Sequence, residues 1–149
     1  AAFRPLPHRL EEHVFGGVTV VDDSISTTPE ATKAALAAYP GRRIALVAGG
    51  HEREQDYDEL AGLLAMRGVT TLVTLPVTGR RLAEAARRAA PELEVTEAPD
   101  LEAAVAALAG RRAGFDTIIL SPGAPSYNQF RNFEERGSRF VELCRKAFG

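Results

Sequence analysis

The feature that most constrains this chain is a strict alternation. Short β-branched apolar runs trade places with stretches whose apolar residues recur at helical spacing. Ile44 to Ala48 is continuously apolar, as expected of a strand buried on both faces, and it ends in Gly49-Gly50. Val18 to Val21, Thr70 to Leu75, Leu93 to Thr96 and Thr117 to Leu120 read as further strands. Between them lie helical patterns: Ala31, Ala34, Ala35 and Ala38; Leu60, Leu63 and Leu64; Leu82, Ala85, Ala86 and Ala89; and Leu101, Val105 and Leu108. A last helix is expected to carry Phe130, Phe133, Phe140, Val141 and Cys144. Before the first run, Leu10 and Val14 suit a strand turned back at Gly16-Gly17 into a hairpin. The predicted fold is α/β: an open, mostly parallel, Rossmann-like sheet of about six strands, helices on both faces and one antiparallel edge hairpin.

Local punctuation agrees with this reading. Thr28-Pro29-Glu30 presents an N-cap, a proline at the first helical position and an acid in the first turn. Pro40-Gly41 stops that helix, Asp56 or Asp58 is expected to cap the next, Gly68 closes it, and Asp100 caps another. With 149 residues, 45% of them hydrophobic, the chain is one domain with enough apolar content for a core. No internal repeat or low-complexity stretch interrupts it.

Composition excludes several function classes. The formal net charge is −2, with both signs mixed along the chain, which gives no nucleic-acid footprint. Nothing approaches a transmembrane span or a signal peptide. A single cysteine, Cys144, rules out an internal disulfide and a multi-cysteine metal site, and it falls on an apolar helix face, as a core residue would. His8, His13 and His51 lack metal-ligand spacing, so no metal site is expected. Ala1-Ala2-Phe3-Arg4-Pro5-Leu6-Pro7 reads as the middle of a longer protein.

Ligands of such sheets bind outside the carboxyl ends of the strands. Three of those ends are rich in polar residues and glycine: 22–28, 49–56 and 121–130. Hydroxyls, a guanidinium and helix N-termini on one rim suit a carboxylate or a phosphate. Asp, Ser and Thr before helices are ordinarily only caps, and Gly49-Gly50 alone is consistent with a tight turn. GxGxxG and GxxxxGK[ST] are both absent. Pattern alone therefore reaches an α/β domain with an anion-binding rim.

Three segments carry a resemblance beyond pattern. Leu6-Pro7-His8-Arg9-Leu10-Glu11, Asp22-Asp23-Ser24-Ile25-Ser26-Thr27-Thr28, and Ser121-Pro122-Gly123-Ala124-Pro125-Ser126 continuing through Asn128 to Gly137 together resemble the C-terminal domain of Mur ligases of the glutamate-adding type. Asp22 to Thr28 is similar to that family's Asn-Asp-Ser-Lys-Ala-Thr-Asn motif. The segment from Ser121 to Gly137, with its Asn-Phe-Glu-x-Arg-Gly close, is the most specific. The resemblance spans nearly the whole chain. It implies a cytoplasmic, monomeric enzyme with no nucleic-acid or membrane partner, whose partners are glutamate, ATP and UDP-N-acetylmuramoyl-L-alanine. ATP and magnesium would be held mainly by a central domain that residues 1–149 lack, as they lack an N-terminal UDP-binding domain. Carried over position by position, the resemblance implies that Thr27, Arg53, Ser126, Tyr127 and Phe133 hold glutamate, and that His8, Arg9 and Asp23 lie near ATP. No residue of the chain is implied to be catalytic.

Phe133 also fits the apolar stripe of the last helix, and Asn132 and Glu134 also suit a cap and a solvated face. Two positions depart from the family pattern: Ile25 stands where the motif has lysine, and Arg53 where the turn after the paired glycines has lysine. Asp-Ser-Ile-Ser-Thr-Thr-Pro with Gly-Gly-His resembles a branch of the family that adds L-glutamate, so both epimers stay open. A related polyglutamate-adding ligase domain and a free-standing α/β module binding a small anion are the alternatives.

Overall fold

A computed structural model describes residues 6–149; Ala1 to Pro5, the greater part of the opening segment singled out in the sequence, lie outside the described residues. Six strands, β1 (Glu11–Phe15), β2 (Val18–Asp22), β3 (Ile44–Ala48), β4 (Val69–Thr74), β5 (Glu94–Glu97) and β6 (Thr117–Leu120), form one sheet in the order β1-β2-β6-β3-β4-β5. Only β1 runs antiparallel; the other four neighbouring pairs are parallel. The helices are α1 (Pro29–Ala37), α2 (Asp58–Leu63), α3 (Gly79–Ala89), α4 (Leu101–Ala109) and α5 (Phe133–Phe148), with a 3-10 turn at Arg112–Gly114.

The five residues of β3 are all fully buried because the strand is covered on both faces. Ala45 and Val47 face one apolar layer with Leu101, Val105 and Leu108 of α4 and Phe140 and Cys144 of α5. Ile44 and Leu46 face the other, with Leu36 of α1, Leu60 of α2 and Leu82 and Ala86 of α3. Each such Val, Leu or Ile contributes roughly 1.5–3 kcal/mol by leaving water, so the two layers, one above and one below the sheet, dominate the fold's stability.

Caps close three helices as the sequence implies. Thr28 accepts from Ala31 N, Asp100 from Ala103 N, and Asn132 from Glu135 N. The second helix differs: Tyr57, without a side-chain cap, precedes it, while Asp56 Oδ1 accepts from Asp58 N at 2.8 Å in a local turn. The last helix starts at Phe133, so Phe130 lies before it. There Ser126 O accepts from both Gln129 N and Phe130 N, which turns the chain before Asn132 caps. Leu10 likewise precedes the first strand, with φ 47.

Helices α1, α2 and α3 follow β2, β3 and β4 on one face, whereas α5 follows β6 on the other. Because β6 is inserted between β2 and β3, the chain leaves three adjacent strand ends toward opposite faces. That divergence opens the crevice in which such sheets bind ligands.

Candidate functional site

The β3–α2 loop is held at this crevice by backbone contacts. Gly49 N donates to Pro122 O at 2.8 Å and His51 N to Pro125 O at 2.7 Å, while Val77 N and Thr78 N both donate to Gly50 O. Gly49 has φ +115, and a Cβ there would run into Leu75 O; one on Gly50 would lie 2.5 Å from Pro125 O. The paired glycines are therefore required by close approach of three backbone segments, beyond the needs of a turn.

Arg53 follows on this loop, exposed and without an ion pair among the described residues. Its neighbour Glu52 is held by Arg81 of α3, with Nη2 donating to Oε2 at 2.6 Å and Nε to Oε1 at 3.1 Å. That pairing pulls the Glu52 carboxyl below its usual range. Gln55 Nε2 donates to Thr27 O at 3.1 Å and Gly123 O at 3.3 Å, and Tyr57 Oη donates to Gly123 O at 2.9 Å. These bonds bring the Thr27, Arg53 and Ser126 loops to one rim. Ser126 is buried at 3% exposure, with no side-chain hydrogen bond among the described residues. Tyr127 is 64% exposed, and its ring meets His51 edge-on at 6.1 Å.

A separate cluster sits at the end of β2. His8, at φ 63, places Nδ1 2.6 Å from Oδ2 of the fully buried Asp22 and meets the Phe133 ring edge-on at 6.1 Å. Phe133 is half-buried, and its carbonyl accepts from Ser24 Oγ at 2.7 Å. Asp23 is 3% exposed and accepts from Ser26 Oγ, Ser121 Oγ and Leu10 N. Burial still pushes its carboxyl above the ordinary range. Exposed Arg9 borders a cavity of about 240 Å³ together with Asp23, Ile25, Ser26, Ala31 and Ala35. The eight residues thus fall into two neighbouring groups: Thr27, Arg53, Ser126 and Tyr127 where the loops after β2, β3 and β6 meet, and His8, Arg9, Asp23 and Phe133 beside β2 itself.

Sequence reasoning passes over Arg136. Although arginine is rarely fully buried, this one is 1% exposed, and burial lowers its guanidinium to about 10. It donates to Ser24 Oγ (2.9 Å), Ser24 O (2.7 Å) and Ala124 O (2.9 Å), tying α5 to the loops after β2 and β6. Its only signal is its place in the Arg-Gly close of the longest motif. Cys144 is core, with its thiol pushed up to about 12 by burial. Among the described residues no group of three or more His, Cys, Asp or Glu is placed to hold a metal ion, and no helix is long and apolar enough to cross a membrane.

The chain resembles known proteins over its whole length. It is 39% identical to a UDP-N-acetylmuramoyl-L-alanine–L-glutamate ligase of Xanthomonas euvesicatoria pv. vesicatoria, an alignment covering 97% of the chain and 32% of that protein. It is 37% identical to a UDP-N-acetylmuramoylalanine–D-glutamate ligase of Symbiobacterium thermophilum, over 95% of the chain and 31% of the relative. The chain therefore spans about a third of the length of the curated relatives it matches. The crystal structure of MurF ligase from Thermotoga maritima in complex with ADP shares the fold, with a TM-score of 0.63 and 22% identity over 99% of this chain and 32% of that one. Residues 8–124 match the family described as Mur ligase, glutamate ligase domain, and the chain belongs to that family.

Proposed function

We propose that this chain is the amino-acid-binding domain of a cytoplasmic, ATP-dependent ligase that joins glutamate to UDP-N-acetylmuramoyl-L-alanine. In that reaction ATP phosphorylates the alanine carboxylate. The glutamate amine then attacks the acyl carbon, and phosphate leaves as the amide forms and the amine loses its proton. ATP with its magnesium belongs to a central domain beyond residues 1–149. This chain contributes positioning and charge rather than a nucleophile. Arg53 meets a glutamate carboxylate through parallel N–H bonds, Thr27 and Ser126 donate hydroxyls, and Tyr127 walls the site, while Phe133 packs on His8 at the β2 edge. Arg9 offers its exposed guanidinium toward the ATP phosphates. His8 and Asp23 shape that edge through Asp22 and Ser26, since both side chains are already engaged.

The observation that carries this reading is Arg53, a guanidinium without an ion-pair partner among the described residues, on the same rim as the hydroxyl of Ser126, a residue only 3% exposed. In the full-length enzyme, Arg53→Ala and Ser126→Ala are each expected to raise the glutamate KM about tenfold or more, the equivalent of one hydrogen bond to a charged group. The KM for ATP stays within about twofold. Unchanged glutamate kinetics in both variants would remove the site.

A further reading concerns handedness. Ile25 removes a cation from the family motif, and the Xanthomonas relative carries an L-glutamate name; together these favour L-glutamate. ATP-dependent ligation with D- and L-glutamate side by side decides it, and product from the D-epimer alone overturns it.

A further inference from the structure

Arg53 lies between two acids in sequence, Glu52 and Glu54. A loop of this composition has a ready means of cancelling its own cation, which would leave little charge for a substrate carboxylate. The structure shows how this is avoided. Both carboxylate oxygens of Glu52 are engaged by Arg81, and Oε2 also accepts from Glu54 N at 2.7 Å. Glu54 itself is exposed, sits at φ 56 and forms no ion pair with Arg53 among the described residues. Arg81 is fixed in turn: Nη1 donates to Gln55 O at 2.7 Å, and its guanidinium lies over the Tyr57 ring at 4.9 Å. Gln55 and Tyr57 then reach the Thr27 and Gly123 carbonyls, the other two loops of the rim.

We propose that Arg81 is a positioning residue for the amino-acid substrate: by occupying both oxygens of Glu52 it keeps the Arg53 guanidinium uncompensated and available to the incoming carboxylate. The inference rests on the reading of Arg53 given above. Two cations thus divide one task. The partly screened Arg81 neutralises the loop's own acid, and the exposed Arg53 is left for the ligand. Mutual lowering of the Glu52 carboxyl and raising of the Arg81 guanidinium accord with a pair that stays closed across neutral pH.

The test uses the full-length ligase and four variants: Arg53→Ala, Arg81→Gln, Glu52→Gln and the double Glu52→Gln/Arg81→Gln. Arg81→Gln frees Glu52 to turn onto Arg53, and the glutamate KM rises about tenfold while kcat and the ATP KM stay within about twofold. Glu52→Gln alone has little effect. The double variant recovers to within about threefold of the parent KM, because no carboxylate remains at position 52 to quench Arg53. A purely structural clamp gives the opposite pattern: either single change breaks the same pair, and the double is as impaired as the worse single. That result, or an unchanged glutamate KM in Arg81→Gln, overturns the proposal. The Arg81 and Glu52 side chains are 41% and 35% exposed, so all four variants are expected to fold, with thermal midpoints near the parent's. Arg53→Ala separates the two readings. If it leaves the glutamate KM unchanged, the site itself fails; if it raises KM but the double variant shows no recovery, only the role of Arg81 fails.

Discussion

Gly137 shows how tightly single positions are specified around the site. It is a helical glycine, and in an open helix alanine would be better by about 1 kcal/mol. Here a Cβ would lie 2.5 Å from His8 Nδ1 and 2.6 Å from each carboxylate oxygen of Asp22. Asp22 cannot swing away, because it is fully buried and its Oδ1 accepts from Ser24 N at 3.1 Å. Overpacking of this kind costs about 1–3 kcal/mol. Gly137→Ala is therefore expected to lower stability by about that much in urea unfolding of the chain, whereas Gly62→Ala in α2, with nothing within 4 Å of its Cβ, should be neutral or gain up to about 1 kcal/mol. Equal midpoints for the two variants would contradict the close approach. The sequence announces these glycines but not their reasons. Gly49-Gly50 is legible as a turn after a strand, while its abutment on Leu75 O and Pro125 O depends on segments distant in sequence.

At the scale of elements, local signals are legible in the sequence and long-range ones are not. Ile44 to Ala48 declares a doubly covered strand because burial on both faces leaves no room for alternation, and Thr28 and Asp100 announce their helices because capping is a contact three residues long. Pattern misleads where apolar residues lie outside their element: Phe130 precedes α5, and Leu10 precedes β1. The three strand ends stand out by composition, but the bonds that join them, through Gln55, Tyr57 and Arg136, depend on the sheet order β2-β6-β3 and have no local signature. Arg136 is the clearest case. It links α5 to two loops with a buried cation that no carboxylate among the described residues pairs within ion-pair distance. Arg136→Met is expected to destabilise the chain by about 2–4 kcal/mol, since two carbonyls, Ser24 O and Ala124 O, lose their buried donor. Losing a desolvated charge offsets part of that cost. A thermal or urea midpoint at the parent value would mean that the tie is not needed to dock α5.

For the molecule as a whole, the order of strands matters more than any one side chain. Inserting β6 between β2 and β3 sets three loop-bearing ends side by side, which is how Thr27, Arg53 and Ser126 share a rim although they are far apart in sequence. On the proposed reading the rim is one half of a closing site. Arg53 and Tyr127 face solvent, and nothing among the described residues covers them. An ion pair formed there competes with water at high dielectric, where two unit charges at about 4 Å gain only about 1 kcal/mol. A second wall that excludes water would multiply the same contact several-fold. The 149-residue chain by itself is therefore expected to bind glutamate no more tightly than about 1 mM, roughly −4 kcal/mol, with full affinity requiring the ATP-binding domain of the proposed ligase. An NMR titration of the chain with L-glutamate should show small, unsaturated shifts at His51 to Gln55 and at Ser126 and Tyr127. Saturable micromolar binding would show that the rim is a complete site, and would favour a free-standing anion-binding module over one half of a closing ligase.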